Sequence, residues 1–263
     1  MTGTTVGRIL RSSQSFCGQI CEKQTLDYGI AYYSERFALV PEANQFREVV
    51  VEDRAQADAA YAQAEDWFES RGLSCFRWSP AGGQATPELT HCLEERGFRA
   101  ENRPVLTLTE WVEIPAQQGV RVLPARALRG AYRATFLSAT QPAARRERLA
   151  EAYGERLDDP QYDAFVALVD QEPVGRGTLY QVGDFARVMD LLVLPGPSSR
   201  FVAEALLAQT LAMAKRLAMR SICVELGPAH VAWQSLLAEV GFVADGAVTE
   251  FLRDAPSAPG PDR

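Results

Sequence analysis

Two stretches of this chain repeat one another in residues and in order, and a chain assembled from two copies of one unit has few architectures open to it. Shifting by 148 positions lays Leu73-Ser74-Cys75-Phe76-Arg77-Trp78-Ser79-Pro80 on Ser221-Ile222-Cys223-Val224-Glu225-Leu226-Gly227-Pro228. Shifting by 144 lays Leu93-Glu94-Glu95-Arg96-Gly97-Phe98 on Leu237-Ala238-Glu239-Val240-Gly241-Phe242. The difference between the two shifts falls in the glycine-rich loop after Pro80, where insertions cost little.

The flanking segments repeat the same order of elements. In the first half, runs rich in aromatic and β-branched residues predict strands at Tyr28–Ser34, Arg36–Val40 and Phe46–Glu52. A helix follows over Arg54–Arg71, with Ala59, Ala62, Ala64, Trp67 and Phe68 as its apolar stripe and Gly72 as its stop. Next come a strand at Leu73–Trp78, a helix over Pro87–Arg96 between Thr86 as cap and Gly97 as stop, and a closing strand at Val105–Trp111. The second half reads as strand Val120–Leu123, helices Ala127–Leu137 and Ala144–Arg156, and strands Asp163–Asp170, Val174–Val182 and Ala186–Leu194. A helix at Phe201–Leu217, strand Ser221–Leu226, helix His230–Val240 and a final strand pair over Phe242–Leu252 complete it. The expected fold is therefore α/β with a mixed sheet, in tandem halves 1–116 and 117–254, followed by a Pro/Gly/Ser-rich tail, 255–263, expected to be disordered.

Charge narrows the choice of partners. The net charge is −7, which gives no bulk electrostatic reason to expect nucleic-acid binding. Residues 1–115 hold 17 acids against 11 bases and the remainder 17 against 16, so an anionic ligand should prefer the second half. No apolar run approaches the roughly 20 residues of a membrane helix. The N-terminal stretch lacks the apolar core and cleavage site of a secretion signal, so a cytoplasmic protein is expected; the two halves are expected to pack tightly enough that the chain is a monomer or a weak homodimer. Cys17, Cys21, Cys75, Cys92 and Cys223 are expected as buried thiols. Cys17 and Cys21 would stack on a helix face, but His91 and His230 lie in unrelated segments, and no metal is expected.

The segment Met189-Asp190-Leu191-Leu192-Val193-Leu194-Pro195-Gly196-Pro197-Ser198-Ser199-Arg200-Phe201-Val202-Ala203 joins a strand to a helix through a short turn. Such a turn aims the unpaired N–H groups of a helix start at one spot, a natural anion site. On these residues alone, an ordinary loop capped by Ser198 or Ser199 explains the segment equally well.

With its surroundings, the second half resembles the GNAT acyltransferase superfamily. The resemblance covers about residues 117–253 and rests on DLLVLP with a following helix, CVEL, and a helix ending in LLAEVGF. It implies acetyl-CoA as the acyl donor and an amine of a small molecule or peptide as acceptor. The pantetheine arm would run along Leu192, Val193 and Leu194, and the pyrophosphate would sit near Ser199, Arg200, Phe201, Val202 and Ala203. The family's phosphate-loop pattern falls on Ser198 to Ala203, where Phe201 stands in place of the first glycine and only Ala203 fits.

The implied general base is a carboxylate on the fourth or fifth strand, Asp190 or Glu225, with Glu225 slightly preferred and with pairing to an arginine such as Arg187 as the competing explanation. The family's acid, a tyrosine, is replaced by Leu237, and His230 begins that helix. The first half resembles the same family more faintly, through WFESRG and HCLEERGF. Its segment VEDRAQADA has no glycine and carries acids that would repel a phosphate. Three functions compete: an N-acyltransferase, a binding or scaffolding protein that kept only the fold, and an aminoacyl-transfer relative, which would need a basic surface this acidic chain does not advertise.

Overall fold

Short side-chain contacts fix where two of the helices of this protein begin. In the computed structural model, which describes residues 4–138, 143–196, 198–227 and 231–253, Thr86 accepts the Leu89 N–H and Asp53 accepts the Gln56 N–H. Pro197, His230 and the 255–263 tail lie outside the described residues. The first half of the chain forms α1 (Thr5–Cys17), β1 (Glu22–Leu26), β2 (Gly29–Tyr33), β3 (Gln45–Val49), α2 (Arg54–Glu69), β4 (Arg77–Pro80), α3 (Pro87–Glu94) and β5 (Arg99–Leu108). The second half forms β6 (Arg121–Pro124), α4 (Arg129–Leu137), α5 (Ala143–Arg156), β7 (Tyr162–Val169), β8 (Glu172–Val182) and β9 (Phe185–Val193). It ends with α6 (Ser199–Arg216), β10 (Ser221–Glu225), α7 (Val231–Glu239) and β11 (Phe242–Leu252).

The chain divides into two compact units built from interleaved stretches. One contains residues 1–12 and 104–246, the other residues 13–103 with the stretch from Ala247. In the second of these, β1, β2 and β3 run antiparallel, β3 lies parallel to β4, and β4 is closed by the antiparallel end of β11. In the first, β6, β7, β8 and β9 run antiparallel, β9 lies parallel to β10, and β10 is closed by antiparallel β5. The same topology therefore occurs twice, as the repeat in the sequence expects. In each unit the closing strand comes from the other half of the sequence: Phe251 of β11 faces Trp78, and Leu106 of β5 faces Val224.

The strands of each unit bury one face against that unit's helices. Phe46, Trp78 and Phe251 pack with Phe68 and Leu89 of α2 and α3 in one unit, the Phe46 and Trp78 rings meeting edge-on at 4.7 Å. In the other unit Leu179, Val188 and Val224 pack with Leu207 of α6 and Leu237 of α7.

Several local expectations need correction. Arg36–Val40 is not a strand but a run of turns leading into a short 3₁₀ segment, Pro41–Ala43. The cause is Asn44, whose buried amide donates to the carbonyls of Phe37 and Val40 and accepts the Ser34 N–H, drawing the segment into a knot rather than a ladder. The strand expected at Leu73–Trp78 starts only at Arg77. Cys21 lies beyond the end of α1, so it does not stack on Cys17 within a helix. Helix α1 itself is unanticipated; its signal is Thr4, which accepts the Gly7 N–H, with Ile9, Ser12 and Phe16 on one buried face.

The two glycine stops differ in a testable way. Both Gly97 (φ 80°) and Gly241 (φ 98°) are left-handed, but a Cβ on Gly97 meets nothing within 4 Å, whereas one on Gly241 lies 1.9 Å from the Glu110 carbonyl oxygen. Gly97→Ala should therefore cost about 1 kcal/mol, the backbone term alone. Gly241→Ala should cost about 3 kcal/mol or more, because the neighbouring backbone must move as well. Urea denaturation of the two variants makes the comparison.

Candidate functional site

The site grows out of one extra residue in β9. Opposite β8, Leu192 pairs with Arg176 and Met189 with Thr178, so Asp190 and Leu191 together face the single residue Gly177. This is a β-bulge, and Asp190 takes a left-handed φ of 53°, a conformation aspartate tolerates better than most side chains. The bulge resets the alternation of the strand: Ala186 and Val188 before it, and Leu191 and Val193 after it, all join the core against α6. Beyond it the strand loses a neighbour. The parallel ladder with β10 ends at the pair Val188 and Val224, while β9 continues to Val193, paired among the described residues with β8 alone. The edge of β9 that carries Asp190, Leu192 and Val193 thus parts from β10.

The two candidate bases have different surroundings. Glu225 ends β10 with a side chain 3% exposed, and it accepts a hydrogen bond from Arg187 at 2.9 Å. Asp190 accepts from the Tyr162 hydroxyl at 2.9 Å, and that hydroxyl lies 2.7 Å from the hydroxyl of Tyr132 and 3.3 Å from that of Thr178. Burial, and after it the Asp190 charge, push both phenols above the ordinary tyrosine range. Sequence reasoning anticipated the Arg187 pairing but missed Tyr132 and Tyr162. They lie 30 residues apart, and Tyr162 lies 28 from Asp190, so no local pattern joins them.

The start of α6 is distinctive in a different way. Ser198 makes no side-chain cap, and the Ser199 hydroxyl turns back to donate to the Gly196 carbonyl at 2.6 Å. Val202 is buried and Ala203 packs at the edge of the core, so of these residues only the backbone can face a ligand. Phe201 is 52% exposed, its ring turned to solvent. Arg200 is paired with Glu204 one turn on and with Glu239 of α7, which hold its guanidinium more firmly protonated, Glu239 the more strongly. Leu237, where the resemblance expects an acid, is fully buried in the core.

No protein-family model and no curated protein sequence matches the chain. Solved structures do. A GCN5-related N-acetyltransferase from Kribbella flavida matches with a TM-score of 0.64 at 13% identity, covering 97% of each chain. A functionally unknown conserved protein from Staphylococcus epidermidis matches at 0.71 and 14%, covering 89% of this chain and 94% of its own. A tandem GNAT protein from the clavulanic acid biosynthesis pathway matches at 0.52 and 13%, covering 88% and 80%. The chain has the tandem GNAT fold.

Both copies of the fold carry the bulge, but among the described residues only one opens beside it. In the first copy Glu48 has φ 58°, and the β3–β4 register shifts between Arg47 and Val49, yet the ladder continues past it to Val49 and Pro80. The helix start that follows is occupied by its own residue, since Asp53 caps α2. Among the described residues, the second copy of the fold has an unladdered strand edge and a helix start without a side-chain cap; the first has neither. Among the described residues no helix is long and apolar enough to cross a membrane.

Proposed function

We propose that the unit carrying β7 to β10 is an acyltransferase that moves an acetyl group from acetyl-CoA to an amine of a small molecule or peptide. One observation carries this reading: in a fold shared with N-acetyltransferases, β9 bulges at a carboxylate and leaves β10 at the same point. Acetyl-CoA supplies the acyl group as an activated thioester. The free edge along Leu192, Val193 and Leu194 offers peptide groups to an extended, amide-bearing arm, much as a sheet edge receives an added strand. The first turn of α6, from Ser199 to Ala203, offers a helix N-terminus to a pyrophosphate.

Only a neutral amine attacks a carbonyl carbon, so a nearby group must take its proton. Asp190, at the bulge, is the first candidate. Glu225 is the second; its carboxylate is already engaged in an ion pair and hydrogen bond with Arg187. Acetyl-CoA at a hundred-fold excess over its dissociation constant should stabilise the protein by about 2.7 kcal/mol, visible as a rise in melting temperature. No shift at millimolar acetyl-CoA would remove this reading.

A second reading, a binding protein that no longer performs chemistry, is favoured by the phosphate end of the site. There Phe201 stands where the family has glycine, and Glu204 and Glu239 occupy Arg200. Phe201→Gly separates the two. If the ring only obstructs close backbone approach, the change should tighten coenzyme binding several-fold in a calorimetric titration. If neither protein binds, the chain retains the fold for its surface.

A further inference from the structure

We propose that Tyr162, backed by Tyr132, is the positioning residue that aims Asp190 and sets its readiness to take a proton; this rests on the acyltransferase reading above. Asp190 sits at the one point of β9 where the backbone is left-handed, so its side chain leaves the strand in a direction ordinary alternation would not give it. Something must hold that direction. The Tyr162 hydroxyl, reaching over from β7, donates to Oδ2 at 2.9 Å.

The direction of that bond orders the rest of the cluster. Having spent its proton on Asp190, the Tyr162 oxygen accepts from Thr178 of β8 at 3.3 Å and from Tyr132 of α4 at 2.7 Å. Both tyrosines are buried, and burial keeps both phenols protonated, so they remain donors at any pH the protein meets. The chain Tyr132 to Tyr162 to Asp190 therefore points one way, towards the carboxylate, and each bond strengthens the next. Three strands and a helix supply its members, which makes the carboxylate a fixed element of the fold rather than a loose surface acid.

Other ionisable groups face the cluster. Arg176 of β8 and Arg156 of α5 act on Tyr132, and Tyr153 of α5 acts on Tyr162. The guanidinium of Arg176 lies over the Phe136 ring at 3.7 Å and hydrogen-bonds Thr135. None of these is altered in the variants below. Neither tyrosine touches substrate in this proposal; each acts through Asp190.

Tyr162→Phe removes one hydroxyl and keeps the ring. In protein carrying ¹³C-labelled aspartate, with Asp190→Asn to assign the signal, the Asp190 carboxyl should titrate with about tenfold higher proton affinity in Tyr162→Phe than in the parent. Tyr132→Phe should move it the same way by less. In a thiol-release assay with acetyl-CoA and a panel of amines, the acid limb of kcat/KM should move to higher pH in parallel, with KM for acetyl-CoA unchanged. A merely structural tyrosine would alter melting temperature and leave the acid limb in place.

An Asp190 titration identical in parent and Tyr162→Phe overturns the inference even if the enzyme is active. Absence of thiol release from the parent with every amine ends the acyltransferase reading instead, and the titration still decides whether Tyr162 governs Asp190. Should Tyr162→Phe fail to fold, Thr178→Val provides the same test, since it removes a donor to Tyr162 without touching Asp190. An unchanged titration there overturns the inference as well.

Discussion

Exchange of Asp190 for asparagine is expected to lower turnover about a hundred-fold or more while leaving coenzyme affinity nearly unchanged. The amide is almost isosteric and its oxygen can still accept from Tyr162, so the bulge and its hydrogen-bond chain survive. What disappears is the capacity to take a proton from an ammonium. Steady-state kinetics with acetyl-CoA, beside a binding titration of the same variant, make the measurement. The matching change at Glu225 behaves differently. Its side chain is 3% exposed against Arg187, so Glu225→Gln leaves a nearly buried guanidinium facing a neutral amide and should lower stability as well as activity. If Glu225→Gln abolished turnover at an unchanged melting temperature while Asp190→Asn was harmless, the base would be Glu225.

The largest expected effect on stability lies in the other unit. Glu250 of β11, 5% exposed, is ringed by Arg103 at 2.9 Å and by Arg47 and Arg77 at 3.5 Å each, with the Ser79 hydroxyl donating at 3.2 Å. Two of these arginines have further carboxylates: Glu101 at 2.9 Å from Arg103 and Glu42 at 3.7 Å from Arg77. Among the described residues Arg47 has its ion pair with Glu250, and its hydrogen bond goes to the neutral Gln45. Glu250→Ala therefore strands a guanidinium that is only 4% exposed, and should cost about 3–5 kcal/mol. That is a large share of the 5–15 kcal/mol typical of a folded domain. The midpoint of urea unfolding should fall with little change in slope. A loss below about 1 kcal/mol would mean that water or a local shift already reaches Arg47.

How much of this could be read from sequence depended on distance along the chain. Thr86 with Pro87, and the turn before α6, act within four residues of themselves, and the helices they start are where they were expected. Arg36–Val40 has the composition of a strand, but the residue that decides its conformation, Asn44, lies outside the run. The bulge in β9 escaped because nothing in Met189-Asp190-Leu191-Leu192 marks it: no glycine or proline punctuates the strand, and an inserted residue leaves each local preference intact. It also placed Arg187 and Asp190 on one face, where unbroken alternation would part them. The tyrosine chain was invisible because its members come from separate elements. The repeat proved the most informative signal, since it compares the chain with itself and needs no local rule.

The exchange of closing strands has a consequence for what can be lost over time. Trp78 of the first half pairs with Phe251 near the end of the chain, and Val224 of the second pairs with Leu106 of the first. A cut near residue 116 would take the closing strand from each unit and leave β4 and β10 with bare edges, each an invitation to aggregate. A gene reduced to its second half would thus encode an incomplete set of strands rather than a smaller folded unit. The first copy cannot be discarded, so its sequence can drift while its presence is enforced. Inheritance here acts on the pair, and each half persists because its neighbour is finished with its strand.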